Sequence, residues 1–174
     1  MKTKIIFITI LSTFISFYCF TDGCIDGNCF NGKGTYVYST GSKYIGEWKN
    51  GKLNGKGIFY YESGILAGSR YEGEFKNNKL DGEGIFYYAN GDKYEGEFKD
   101  NKLKGFGTFY YSNGNKYEGE WVNNKKTGKG IFLFSNGSKY DGDFKNDLFD
   151  GIGTFTYENG KILKGKWKKN KFIE

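Results

Sequence analysis

The chain has 174 residues and a formal net charge of +6, with 28 glycines, 15 tyrosines, 17 phenylalanines and neither histidine nor proline. A chain of this size makes one domain or one repeat array, and without histidine it lacks the commonest general base of enzymes. The mild basic excess is what a solvated lysine–glutamate surface carries, and it does not by itself indicate a nucleic-acid partner.

The chain begins with a basic stretch, Met1-Lys2-Thr3-Lys4, then an apolar run over residues 5–20 broken only by Thr9, Ser12, Thr13 and Ser16. That run is short for a membrane span of about 20 residues. Residues 1–20 therefore read as a secretory signal peptide, with an N-terminal anchor as the alternative. Cys19 would suit lipidation, although Tyr18 stands where that pattern prefers a small residue. Export would place the protein in the cell envelope, the periplasm or the extracellular space, where disulfides persist. Cys24 and Cys29 flank Asp26-Gly27, a two-residue hairpin signal. Reflection about that turn sets the two cysteines opposite each other at a non-hydrogen-bonded pair, which admits a disulfide. Two free thiols are the alternative, and a metal site would have too few ligands.

Residues 21–43 keep Gly23, Gly32, Gly34, Tyr36 and Gly41 of a pattern that becomes regular at Tyr44. They read as a degenerate capping repeat. From Tyr44 the unit restarts at Tyr71, Tyr94, Tyr117 and Tyr140, with a spacing of 23 residues except for 27 in the first interval. A fixed period of this length marks a repeat architecture. The units are residues 44–70, 71–93, 94–116, 117–139 and 140–162, with a partial terminal unit at 163–174. Each carries a glycine two residues after its start and an aromatic four after, then two glycines and a phenylalanine. Examples are Tyr71, Gly73, Phe75, Gly82, Gly84 and Phe86, then Tyr94, Gly96, Phe98, Gly105, Gly107 and Phe109, then Tyr117, Gly119 and Trp121.

Two turn signals fall in each period: an Asn/Asp/Gly pair such as Asp100-Asn101, and a closing Asn-Gly such as Asn113-Gly114. Two turns make two short antiparallel strands. The fold expected is all-β, an elongated single-layer antiparallel meander of β-hairpin repeats. Centring the first turn on Asn50-Gly51 sets Trp48 against Leu53, Gly46 against Gly55 and Tyr44 against Gly57. The same reflection sets Phe98 against Leu103, and Trp121 against Lys126 as the exception. A three-residue second loop, 90–92, sets Tyr88 against Tyr94 and Phe86 against Gly96, so that the Phe86 ring lies over the cross-strand glycine. Rings and glycines then share one face. The other carries rows of acids (Glu47, Glu74, Glu97, Glu120, Asp143) and lysines, read as mutually satisfying rather than as a cation site.

This pattern resembles the MORN repeat, Y-x-G-x-[W/F]-x-N-x-x-x-x-G-x-G-x-[F/Y], from about residue 21 to the end of the chain. The resemblance implies a non-enzymatic binding or scaffold module acting through protein–protein contacts, often with self-association, and with acidic phospholipid as a debated further ligand. A glycan- or wall-binding module is the alternative, because exposed aromatic rows suit sugar faces. An accessory domain for an enzyme elsewhere is a third. The glycines punctuate strands with no helix after them, so they form no phosphate loop. No cofactor, small-molecule substrate or nucleic acid is expected. The insertion Ile65-Leu66-Ala67-Gly68 packs on the sheet or meets a partner. Trp167 and Phe172, at the end of the array, are the residues expected to meet a partner or a second copy, and the terminal lysines guard the edge strand.

Overall fold

The structure is a computed structural model and describes residues 22–173. The leader expected over residues 1–20, with Cys19, lies outside the described residues. Fourteen strands form one sheet in chain order, every neighbour antiparallel. They are β1 (Gly23–Gly27), β2 (Gly32–Val37), β3 (Lys43–Lys49), β4 (Lys52–Tyr61), β5 (Ser69–Lys76), β6 (Lys79–Tyr87), β7 (Lys93–Lys99), β8 (Lys102–Tyr110), β9 (Lys116–Val122), β10 (Lys125–Leu133), β11 (Lys139–Lys145), β12 (Leu148–Thr156), β13 (Ile162–Lys168) and β14 (Lys171–Phe172). A 3-10 turn at Gly64–Leu66 is the only helical element among the described residues. The meander is therefore as expected: each period forms a hairpin.

The register differs from the simple reflection. Phe98 does face Leu103, but Gly96 pairs with Gly107 rather than Gly105, and Tyr94 pairs with Phe109. The same holds in the first unit, where Gly46 pairs with Gly57 and Tyr44 with Phe59. A bulge accounts for the shift: Glu97 alone opposes Lys104, Gly105 and Phe106. The bulge needs a left-handed residue, and Gly105 supplies it at φ 68°. The second loop is longer than three residues. It runs over 88–92, closed by hydrogen bonds from the Gly91 amide to the Tyr88 carbonyl and from the Tyr88 amide to the Asp92 carbonyl, both 3.0 Å. Phe86 consequently pairs with Tyr94, and Gly84 with Gly96.

The ring that covers the glycines is therefore not Phe86. A Cβ on Gly96 would lie 2.5 Å from the Gly107 Cα, 2.6 Å from the Phe106 carbonyl oxygen and 2.9 Å from the Tyr94 hydroxyl. Each repeat tyrosine folds along its own strand onto a cross-strand pair of glycines. Tyr44, Tyr71, Tyr94, Tyr117 and Tyr140 are all fully buried in this way. Their hydroxyls donate to the carbonyl that the bulge leaves without a ladder partner: Tyr44 to Glu47 at 3.0 Å, Tyr94 to Glu97 at 3.2 Å and Tyr140 to Asp143 at 3.1 Å.

The row of acids also differs from its expected role. Its carboxylates, Glu74 excepted, accept hydrogen bonds from main-chain amides freed by the bulge: Glu47 from Lys56 at 3.3 Å, Glu97 from Phe106 at 3.1 Å, Glu120 from Lys129 at 2.8 Å and Asp143 from Ile152 at 2.7 Å. Lysine is a partner only at Asp143, where Lys129 stands 2.6 Å away. Lys99 and Lys168 pair instead with Asp81 and Asp150. Tyrosine and acid together satisfy the two main-chain groups that these four bulges would otherwise strand; at the Gly73/Phe75 bulge only the tyrosine does so.

Successive hairpins are tied at their tips. Asn101 sits in the left-handed region at φ 65°. Its side-chain oxygen accepts from the Leu80 amide at 2.8 Å, while its own amide donates to the Leu80 carbonyl at 3.0 Å. Asn78, Asn124, Asp147 and Asn170 repeat the side-chain contact on Leu53, Leu103, Lys126 and Phe149.

At the N-terminal end Cys24 and Cys29 are joined by a disulfide, with Cα atoms 5.9 Å apart. The cysteines are not the cross-strand pair expected. Cys24 pairs with Tyr36, and Gly27 with Gly34. The turn lies at 28–31 because the Asn28 side chain accepts from the Phe30 and Asn31 amides at 3.0 and 2.9 Å, overriding Asp26-Gly27. The bridge thus links a strand to the turn that follows it.

Candidate binding surface

The aromatic face is built from four positions per hairpin. Tyr94 and Phe98 on β7 meet edge to face at 5.1 Å between centroids, and Tyr71 and Phe98 join neighbouring hairpins at 5.0 Å. Outside them runs a second layer, Phe86 against Tyr88 at 4.5 Å and Tyr88 against Phe109 at 5.7 Å, in which Phe86 is buried and Tyr88 and Phe109 are half-buried and open to solvent. Trp48, Trp121 and Trp167 donate their indole N–H to the carbonyls of Gly34, Gly107 and Gly153. The indole N–H groups of this face are thus consumed by the fold itself.

Leu66 of the 3-10 turn packs against this layer, while Ile65 is fully exposed. From Leu66 a groove of about 400 Å³ runs over Leu80, Phe86, Tyr88, Phe109 and Tyr111 to Asp147. A second, of about 330 Å³, continues from Lys126 and Asp147 past Phe134 and Phe149 to Asn170.

Lys126 is where the face departs from its own rule. It pairs with Trp121, at the position filled by Leu53, Leu80, Leu103 and Phe149 in the other units. Its ammonium donates to the Tyr111 hydroxyl at 3.0 Å and lies 5.1 Å from the Phe132 ring centroid and 5.4 Å from that of Tyr111. Burial pushes its pKa below the ordinary lysine value, with the Asp147 carboxylate acting in the opposite sense.

The opposite face has an order of its own, which sequence reading missed. The ladder pairs Lys43 with Tyr60, Arg70 with Tyr87 and Lys93 with Tyr110, and each cation lies 4.2–4.9 Å over the tyrosine ring. Arg70, Lys93, Lys116 and Lys139 also reach acids two residues on: Glu72, Glu95, Glu118 and Asp141. The signal was in the alternation, since these side chains occupy every second residue beside the motif positions. On the same face Glu83 stands directly opposite Glu97. Burial, then the carboxylates of Glu97 and Glu74, hold Glu83 above the usual carboxylate range. Among the described residues no group of three or more potential ligands could hold a metal ion.

Of the two terminal residues singled out in the sequence, only Phe172 is exposed, at 38%. Trp167 is buried by Tyr140, Phe155 and Phe172.

The family model for the MORN repeat matches residues 30–43, 44–65, 71–93, 94–116, 117–139 and 140–162. An open sheet of hairpins, each carrying the same tyrosine, glycine and aromatic positions, matched over most of its length, places the chain in the MORN repeat family. Repeats of this family are generally binding and scaffolding modules. No curated protein matches the chain. Among solved structures it is similar to the SAS-4 (dCPAP) TCP domain of Drosophila melanogaster, solved in complex with a proline-rich motif of Ana2 (dSTIL). The identity is 17% and the TM-score 0.47, over 81% of each chain.

Proposed function

We propose that this protein is a non-catalytic scaffold, exported to the cell envelope, that holds a protein partner on the aromatic side of its sheet. The observation that carries this reading is the half-buried outer layer of Tyr88, Phe109 and Tyr111. Among the described residues no second layer covers it, and it flanks a groove rather than a flat wall. The leader over residues 1–20 and the Cys24–Cys29 bridge support export. Anionic lipid is a weaker ligand for this chain, because Arg70, Lys93, Lys116 and Lys139 on the opposite face are already paired with acids. Sugar binding is also the weaker reading, since the rings lie tilted on one another at 4.5 Å rather than in one open plane.

The test is capture of envelope proteins on the immobilised full chain, beside a Leu66→Ser/Tyr88→Ser variant with unchanged β-type circular dichroism. A protein retained by the parent and lost by the variant is expected. Equal retention by both, or retention of purified wall or anionic vesicles in place of protein, would overturn the reading.

A further inference from the structure

We propose that Lys126 marks a docking site for one kind of ligand: an extended apolar segment of a partner protein that presents a single carboxylate. The inference rests on the scaffold reading above and names the chemistry of its partner.

The repeats serve as internal controls. At the position of Lys126 the other full units carry Leu53, Leu80, Leu103 and Phe149, all facing the aromatic side. The fold alone has no need of a cation there, and an ammonium among rings gives up hydration that a leucine would not. A second departure accompanies the first. Asp147 stands where Asn78, Asn101, Asn124 and Asn170 make the tip contact, and it is the Lys126 amide that its carboxylate accepts, at 2.9 Å. The two departures therefore meet at one point, between β10 and the next hairpin tip. Local rules broken together at one place mark a site rather than drift.

The ammonium is left incompletely matched. One N–H goes to the Tyr111 hydroxyl. Among the described residues no carboxylate lies within ion-pairing distance of it, Asp147 being engaged with the main chain. Asp147 lines both grooves, one leading back to Leu66 and the other on to Asn170, and Lys126 lines the second beside it. Hairpins repeat at roughly 10 Å, so the grooves together offer a run of two or more hairpins, about six residues of extended chain at roughly 3.3 Å each. The walls are mostly rings, suited to apolar side chains; of the charged groups that line them, Asp92 and Asp147 already accept from the Ser112 and Lys126 amides, and Lys126 is the one cation. A carboxylate in the middle of an otherwise apolar segment is the complement.

The probes are two synthetic peptides, acetyl-Val-Phe-Val-Glu-Val-Phe-amide and the same peptide with glutamine for glutamate, titrated calorimetrically into the full chain and its variants. The parent is expected to bind the glutamate peptide at least tenfold more tightly. Lys126→Leu restores the residue of the neighbouring repeats, so the sheet should stay folded and bind both peptides equally; Lys126→Arg should keep the preference. Equal binding of the two peptides to the parent, or a preference that survives Lys126→Leu, would overturn the assignment of Lys126 and leave the scaffold reading standing. No binding of either peptide would overturn the groove as a peptide site, and a partner still captured from envelope extract would then belong elsewhere on the sheet.

Discussion

At the scale of the residue, the repeat tyrosine has three tasks at once. Its ring fills the space above two paired glycines, its edge meets the aromatic four residues on, and its hydroxyl satisfies a bulge carbonyl. Tyr94→Phe keeps the first two and strands the Glu97 carbonyl, at a cost of about 1–2 kcal/mol. Phe98→Ala leaves a cavity between Tyr71 and Tyr94 and should cost about 3 kcal/mol. Gly96→Val should cost more than Tyr94→Phe, because the obstacle is the backbone of Gly107 and Phe106 and not a side chain that can turn away. Urea midpoints of the three variants check the order, and a Gly96→Val protein as stable as the parent would contradict the close glycine pair. Burial also pushes the phenols of Tyr61, Tyr88 and Tyr111 up to about 12. A raised folded-state pKa gives stability that is whole below the unfolded value near 10 and lost as pH climbs through the folded one. Stability should thus fall between about pH 10 and 12. Tyrosine ionisation followed at 295 nm should lag behind that of the urea-unfolded chain; coincident curves would contradict the burial.

At the scale of the element, each hairpin is closed by its own turn but fixed to its neighbour by a side-chain acceptor at the tip, an asparagine everywhere except at Asp147. Asn101 combines a positive φ with a side-chain acceptor for the Leu80 amide, and substitution separates the two. Asn101→Gly keeps the backbone conformation and loses the acceptor, for about 1 kcal/mol. Asn101→Ala loses both and should cost about 1 kcal/mol more. Equal losses in denaturant unfolding would mean that the left-handed conformation contributes nothing. The bulge is the other device of the hairpin. It sets three residues, Lys104, Gly105 and Phe106, opposite the single Glu97, and the Glu97 carboxylate caps the Phe106 amide so exposed.

At the scale of the molecule, every strand pairs only with its sequence neighbours, so stability should accumulate hairpin by hairpin as in other linear repeat proteins. Deleting residues 94–116 removes one whole period and joins Lys93 to Tyr117, which restores the motif register. The shortened chain should fold with the same circular dichroism per residue and a lower melting temperature. An unfolded product would show that distant hairpins support one another. Disulfide reduction should act locally for the same reason, since Cys24 and Cys29 lie within the first hairpin.

The period, the turn residues and the alternation of rings with glycine were enough to determine the hairpin meander and its aromatic face, because they depend on spacing and on local turn chemistry. Lys126 was also visible as an exception among leucines. The bulge was not, because a two-residue insertion beside Gly105 leaves the turn and the Phe98–Leu103 pair unchanged and shows only in which glycines meet. Asn28 capping its own turn, and acids accepting from backbone amides rather than from lysines, are choices between partners of similar strength. Tertiary structure decided them, because only in the folded sheet does the bulge leave a main-chain N–H and a carbonyl in need of those particular side chains.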